Sequence, residues 1–131
     1  MDTSKAREIA FKILYEMEVR GADKLHELLA LDEDGMGEKV REYVEWVVNG
    51  VNAKNDEYNE IIMNNLQGWK FDRVSKLSIA AIKLALFEIE SNEKINQNIA
   101  ISEAVKLSVK FEGEEAAGFV NGVLGSYVRS V

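Results

Sequence analysis

Cysteine and proline are both absent from the 131 residues, and histidine occurs once, as His26. Without cysteine there is no disulfide framework and no thiolate to bind a metal or attack a substrate, which fits a reducing compartment. Long apolar runs are missing as well: nowhere do about 18 apolar residues follow one another, and the opening MDTSKAREIA has no signal-like apolar stretch. The chain reads as cytoplasmic, without a membrane partner. Catalytic signatures are equally scarce. There is no phosphate-cradling glycine loop and no HExxH, and His26, in DKLHELL, has neither a second ligand nor a base beside it. Pairs such as Glu114 and Glu115 arise by chance among 23 carboxylates. We expect no enzyme, no metal and no cofactor.

What the chain has in plenty is negative charge and helical periodicity. A net charge of −7 repels a phosphate backbone at long range, so any nucleic-acid role needs a local cationic patch or a basic partner. Apolar residues recur at three and four positions throughout, and β-branched runs never alternate over the length of a strand, which predicts an all-α protein of one domain. Seven helices are expected, at about 3–20, 22–31, 38–53, 55–66, 72–90, 98–111 and 114–128. Asn55 or Asp56 is the expected cap of the fourth and Asp72 that of the fifth. The acidic glycine loop DEDGMG follows the second. A turn near Gly68 divides two helical sub-bundles sharing one core.

Two helices carry unusual faces. On the first, Ala6, Ala10, Ile13 and Met17 form the main apolar stripe, while Arg7, Phe11 and Tyr15 line up at one-turn spacing beside it, with Lys5 and Lys12 further round. Phe11 and Tyr15 either fill a second buried face or form an exposed platform for bases or a partner. On the last helix the segment GFVNGVLG places three glycines where each costs about 1 kcal/mol relative to alanine. At about 100° per residue, Gly118, Gly122 and Gly125 fall together with Asn121 and Glu115, opposite Phe119, Val120, Val123, Leu124 and Tyr127. Such a strip admits either a closely packed second helix or a ligand.

The segments AREIAFKILYEME, WKFDRVSKLSIAAIKLALFEI and IAISEAVKLSVKFEGEEAAGFVNGVLG, in this order over nearly the whole chain, resemble the NusB family of transcription antitermination factors. The resemblance implies an all-helical fold without catalysis. It also implies binding of boxA-type single-stranded leader RNA together with NusE, a small-subunit ribosomal protein, within the transcription elongation complex of ribosomal RNA operons. A basic ribosomal protein is a natural electrostatic partner for so acidic a chain.

Carried over by position, the family's basic N-terminal arm falls on Thr3, Ser4, Lys5 and Arg7, where only Lys5 and Arg7 are basic, so RNA binding weaker than the family norm is expected. The other implied RNA-facing residues are Lys110, Phe111, Glu115, Ala116, Phe119 and Asn121. Glu115 stands at a usual Asp and Ala116 at a usual Ser. The implied partner-facing residues are Tyr15, Glu16, Ser78, Lys83, Phe87 and Glu88, with Ser78 at a usual acidic position, Lys83 at a usual Arg and Phe87 at a usual Tyr. The competing reading is a protein-only or homodimerising helical module of the same fold, using Phe11, Tyr15 and the glycine strip. Related domains also form the N-terminal part of some ribosomal-RNA cytosine methyltransferases, but this sequence has no nucleotide-cofactor motif.

Overall fold

A computed structural model describes residues 3–21, 37–91 and 95–131. Among these residues there are six α-helices and no strand: α1 (Thr3–Arg20), α2 (Glu38–Ala53), α3 (Asn55–Asn64), α4 (Lys76–Ser91), α5 (Gln97–Phe111) and α6 (Glu114–Ser130), with one 3₁₀ turn at Phe71–Arg73. The short helix expected at 22–31, His26 within it, and all but Gly37 of the acidic glycine loop lie outside the described residues.

The hub is α4. Every residue from Ser78 to Glu88 is buried, and α4 touches all five other helices. Its run IAAIKLALF is apolar nearly all round, as a helix must be when neighbours cover every side. Around it, α1 packs on α2, and α5 packs on α6. One continuous hydrophobic core draws residues from all six helices, among them Phe11, Val47, Tyr58, Leu84, Leu107 and Leu124.

Two expected caps are corrected by hydrogen bonding. Asp72 lies in the 3₁₀ turn, and the α4 cap is Ser75, whose hydroxyl accepts the Ser78 N–H at 3.0 Å, the usual reach from an N-cap to the third helical residue. Neither Asn55 nor Asp56 caps α3. The joint between α2 and α3 is the single residue Lys54, which makes no side-chain cap bond, and the Asn55 side chain is taken by Lys83 at 2.6 Å.

Two glycines are required by geometry. Gly113 has φ +110 and ends α5 with its N–H on the carbonyls of Ser108 and Val109 at 3.0 and 3.1 Å, a left-handed stop that lets α6 start one residue later. Gly50 lies under the Phe87 ring, and a Cβ added there would overlap the ring carbons.

Candidate nucleic-acid interface

Three charged or polar groups on the hub helix are internal. Glu88 is 1% exposed and receives the guanidinium of Arg7, itself 7% exposed, in a two-pronged ion pair from Nε at 2.8 Å and Nη2 at 3.0 Å. Burial works against the Arg7 charge, but the hydrogen bond and charge of Glu88 outweigh it and hold the guanidinium above its ordinary pKa. Tyr43 lies beside the pair, and burial first, then the Glu88 charge, pushes its phenol far above the usual range. Lys83 donates to both carboxylate oxygens of Glu18, at 2.8 and 3.0 Å, and to Asn55. Ser78 donates to Glu112 at 2.8 Å.

Five of the residues carried over from the family are internal in this structure. Arg7 presents no guanidinium to a phosphate, because its fork is closed on Glu88 inside the protein. Ser78, Lys83, Phe87 and Glu88 are each buried in this structure, Ser78 at the edge of the furrow described below. Phe87 packs edge to face on Trp46 at 4.8 Å. Of the partner set, Tyr15 and Glu16 alone retain partial exposure, Glu16 paired with Arg20 at 3.0 Å. Phe11 belongs to the core, 1% exposed, with its ring 5.2 Å from that of Phe111. Of the two readings of the first helix, burial holds for Phe11, and Tyr15 packs half-buried against the same core.

The exposed chemistry gathers at two neighbouring places. At the seam of α1 and α5, Phe111 lies half-buried with the ammonium groups of Lys12 and Lys110 each 5.6 Å from its ring centre. A single carboxylate, Glu8, restrains both cations, at 2.5 Å from Lys110 and 3.7 Å from Lys12. The hydrogen bond from Lys110 is the main reason the Glu8 carboxyl is held below its usual pKa. Lys5 is exposed one turn from Glu8 on α1. Lys106, a turn before Lys110, leans on Glu103 at 3.5 Å. Sequence reasoning misses Lys12 as a site residue, since nothing in the spacing of α1 shows that it meets Phe111 on a helix from the other end of the chain.

One residue beyond Phe111 the surface opens into a furrow. Trp69 and Phe119 stand edge to face at 5.2 Å in its middle. On one side is a cavity of about 280 Å³ that includes Ser78, Glu112, Glu115, Ala116 and Arg73. On the other is a groove of about 270 Å³ running along Gly118 and Gly122. A Cβ built at either glycine meets nothing within 4 Å. Gly118 and Gly122 are therefore not a helix-packing face among the described residues but open helix surface bordering the aromatic pair, whereas a Cβ at Gly125 would meet the Arg129 guanidinium at 3.2 Å. Glu115, Ala116 and Phe119, implied to face RNA, thus share one cavity with Ser78, implied to face a protein partner. Asn121 is exposed on α6 and lines neither half of the furrow.

Two cations beside an aromatic ring, next to a furrow with bare helix backbone, give this all-helical protein a candidate surface for a macromolecule. No helix among the described residues is long and apolar enough to cross a membrane. The model of the NusB family matches residues 4–129. The transcription antitermination protein NusB of Acetivibrio thermocellus is 35% identical over 130 residues, covering 98% of this chain and 90% of that protein. A crystal structure of antitermination factors NusB and NusE in complex with dsRNA is similar at TM-score 0.81 and 25% identity over 100% of both chains. T. maritima NusB shares the fold at TM-score 0.89 and 22% identity, over 98% of this chain and 92% of its own. This chain belongs to the NusB family.

Glu8→Gln is expected to raise RNA affinity a few-fold. Freed from their shared carboxylate, Lys110 and Lys12 become available to phosphates, and each further phosphate neutralised steepens the salt dependence by about 0.7 in the log–log slope for single strands. Stability changes by less than about 1 kcal/mol, as for partly exposed ion pairs. Titration of a labelled single-stranded RNA at two salt concentrations checks this. An unchanged slope would mean that these lysines do not reach the backbone.

Proposed function

We propose that this protein is an RNA-binding adaptor of transcription antitermination, one NusB-like domain over residues 1–131, which holds boxA-type leader RNA jointly with the ribosomal protein NusE. The observation that carries the reading is the Lys12–Phe111–Lys110 arrangement at the α1–α5 seam: cations beside a half-exposed ring are what single-stranded nucleic acid requires. The family membership and the likeness to a NusB and NusE complex with RNA support it. The RNA face comprises Lys5, Lys12, Lys110, Phe111 and Phe119, with Glu115, Ala116 and Asn121 along its edge. Tyr15 and Glu16 border the protein partner.

The protein acts in the cytoplasm, within the elongation complex, and not as an enzyme. Its charge of −7 sets the division of labour. Alone it holds RNA weakly, and a basic partner supplies the counter-charge. The self-association reading is weakened because it needs Phe11 at the surface, and Phe11 is core.

The test is titration of labelled boxA RNA into the full chain with and without NusE, at low and moderate salt. We expect NusE to tighten RNA binding at both. No gain with NusE at either salt would overturn the reading.

A further inference from the structure

Trp69 borders three depressions of the surface. Two of them, on the furrow side, also take in Glu115. The third, of about 410 Å³, is lined by Gln67, Gly68, Trp69, Lys70 and Arg73, with no carboxylate among them. The chain forms it by reversing sharply after α3. The Trp69 N–H reaches back to the Leu66 carbonyl at 3.2 Å. The two residues between, Gln67 and Gly68, have φ +51 and +95, the left-handed pair of a type I′ turn. Phe71 then packs against the core and pins the 3₁₀ turn, while Trp69, Lys70 and Arg73 stay exposed, Trp69 at 54%. Neither Lys70 nor Arg73 forms an ion pair among the described residues, whereas Lys12 and Lys110 share Glu8. Asp72 is the one acid in the segment QGWKFDR.

We propose that this turn is a further RNA-binding site, in which Trp69 stacks on a base and Lys70 and Arg73 take the flanking phosphates of a single strand. It rests on the reading above that the chain binds RNA, and extends it to residues that reading leaves out. A ring with cations at its rim holds single strands through base stacking and backbone charge. A duplex would offer Trp69 no free base face. In a chain of net charge −7 unpaired cations are scarce, and the Arg7 guanidinium at the start of α1 is closed on Glu88. The turn supplies charge that the α1–α5 seam lacks. Continuity favours RNA as well: Trp69 meets Phe119 edge to face at 5.2 Å, so a strand lying on Phe119 finds the next ring in contact with it.

The test is titration of labelled single-stranded boxA RNA into the full chain at two salt concentrations, with NusE binding measured separately. The double variant Lys70→Ala with Arg73→Ala keeps both rings. It is expected to flatten the log–log salt slope by about 1.4, two phosphates at about 0.7 each. Trp69→Ala is expected to weaken RNA binding by about 5- to 150-fold, the range for losing one stacked base, with the slope unchanged. Trp69 also supports Phe119, so a direct signature is read beside affinity. In a Trp46→Phe background Trp69 is the sole tryptophan, and base stacking should quench its emission as RNA saturates the protein. That measurement changes nothing at the turn, so it decides the matter even where an alanine variant folds poorly.

Wild-type affinity and salt slope in the folded double variant, or tryptophan emission that bound RNA leaves unchanged, overturns this proposal alone. Variants of the turn that lose NusE binding and keep RNA binding overturn it as well, and give the turn to the protein partner. A wild-type chain that binds no RNA at either salt, with or without NusE, overturns both this proposal and the reading beneath it.

Discussion

Arg7→Ala is expected to destabilise the protein by about 3–5 kcal/mol, the cost of leaving one member of a buried ion pair without its partner. Glu88 would then be a carboxylate at 1% exposure with its two-pronged donor gone. A urea melt followed by far-UV circular dichroism measures the loss. Two companions separate the mechanism from mere truncation. Arg7→Lys retains charge but not the fork and should fall between wild type and alanine. The double variant Arg7→Met with Glu88→Leu removes both charges and should recover most of the stability, since apolar replacement of a buried pair is often neutral or favourable. The result bears on function because Arg7 stands in the family's basic arm. If Arg7 contacted phosphate, Arg7→Ala would remain fully folded and lose about 0.7 from the salt slope of RNA binding. With the guanidinium closed on Glu88, its RNA-binding loss should track the unfolded fraction, whereas Lys5→Ala should weaken RNA binding with little change in the melt.

Glu18→Ala should cost a comparable amount, about 3–5 kcal/mol at neutral pH, because it strands the Lys83 ammonium at 1% exposure and leaves it the Asn55 side chain, at 2.6 Å, in place of a carboxylate. Its pH dependence has a definite sign. Burial is the main cause that lowers the Lys83 pKa in the folded protein from 10.5, against the hydrogen bond and charge of Glu18. Between the lowered folded value and 10.5 the unfolded chain binds more protons, so the Lys83 contribution to stability rises with pH through that window. Below it the cost of the buried charge is fully present. Removing Glu18 takes away what holds the pKa up and extends the window toward neutrality. The stability gap between Glu18→Ala and wild type should therefore narrow from about pH 7 to about pH 9.5. Comparing the two proteins at each pH cancels the titration of the buried tyrosines. A gap that stays constant would mean that Lys83 keeps its proton without Glu18. Lys83→Met should cost far less, since Glu18 is 16% exposed and can turn to water.

The positions of the helices are legible in the sequence because they follow from local periodicity. That periodicity predicts helices at 3–20 and 38–53, and α1 and α2 have those limits. Gly113, with φ +110, falls in the EGE break between the last two helices. The caps are harder to read, because Asp72 and Ser75 are both good cap residues three positions apart, and the Glu112 carboxylate that reinforces Ser75 comes from another element.

The candidate site is legible in part. Phe111, Lys110 and Phe119 follow from the family resemblance and do lie on the surface at the α1–α5 seam and the furrow. The resemblance implies that Lys83 and Glu88 face a partner, and charged residues on a helix do ordinarily face water. Nothing in the local pattern shows that Glu18 and Arg7 wait for them 65 and 81 positions away. Lys12 escapes notice for the same reason in reverse: its ring partner, Phe111, lies on a different helix.

By itself the sequence determined the helical class, the breaks between helices, the apolar stripe of each and the acidic surface. All of these depend on residues within a turn or two of one another. The tertiary structure alone decided which helix is the hub, which charges are sealed into ion pairs and which remain for a partner, and whether the glycines of GFVNGVLG face another helix or open space. Those outcomes depend on what packs against each face, and packing is settled by residues far apart in the chain.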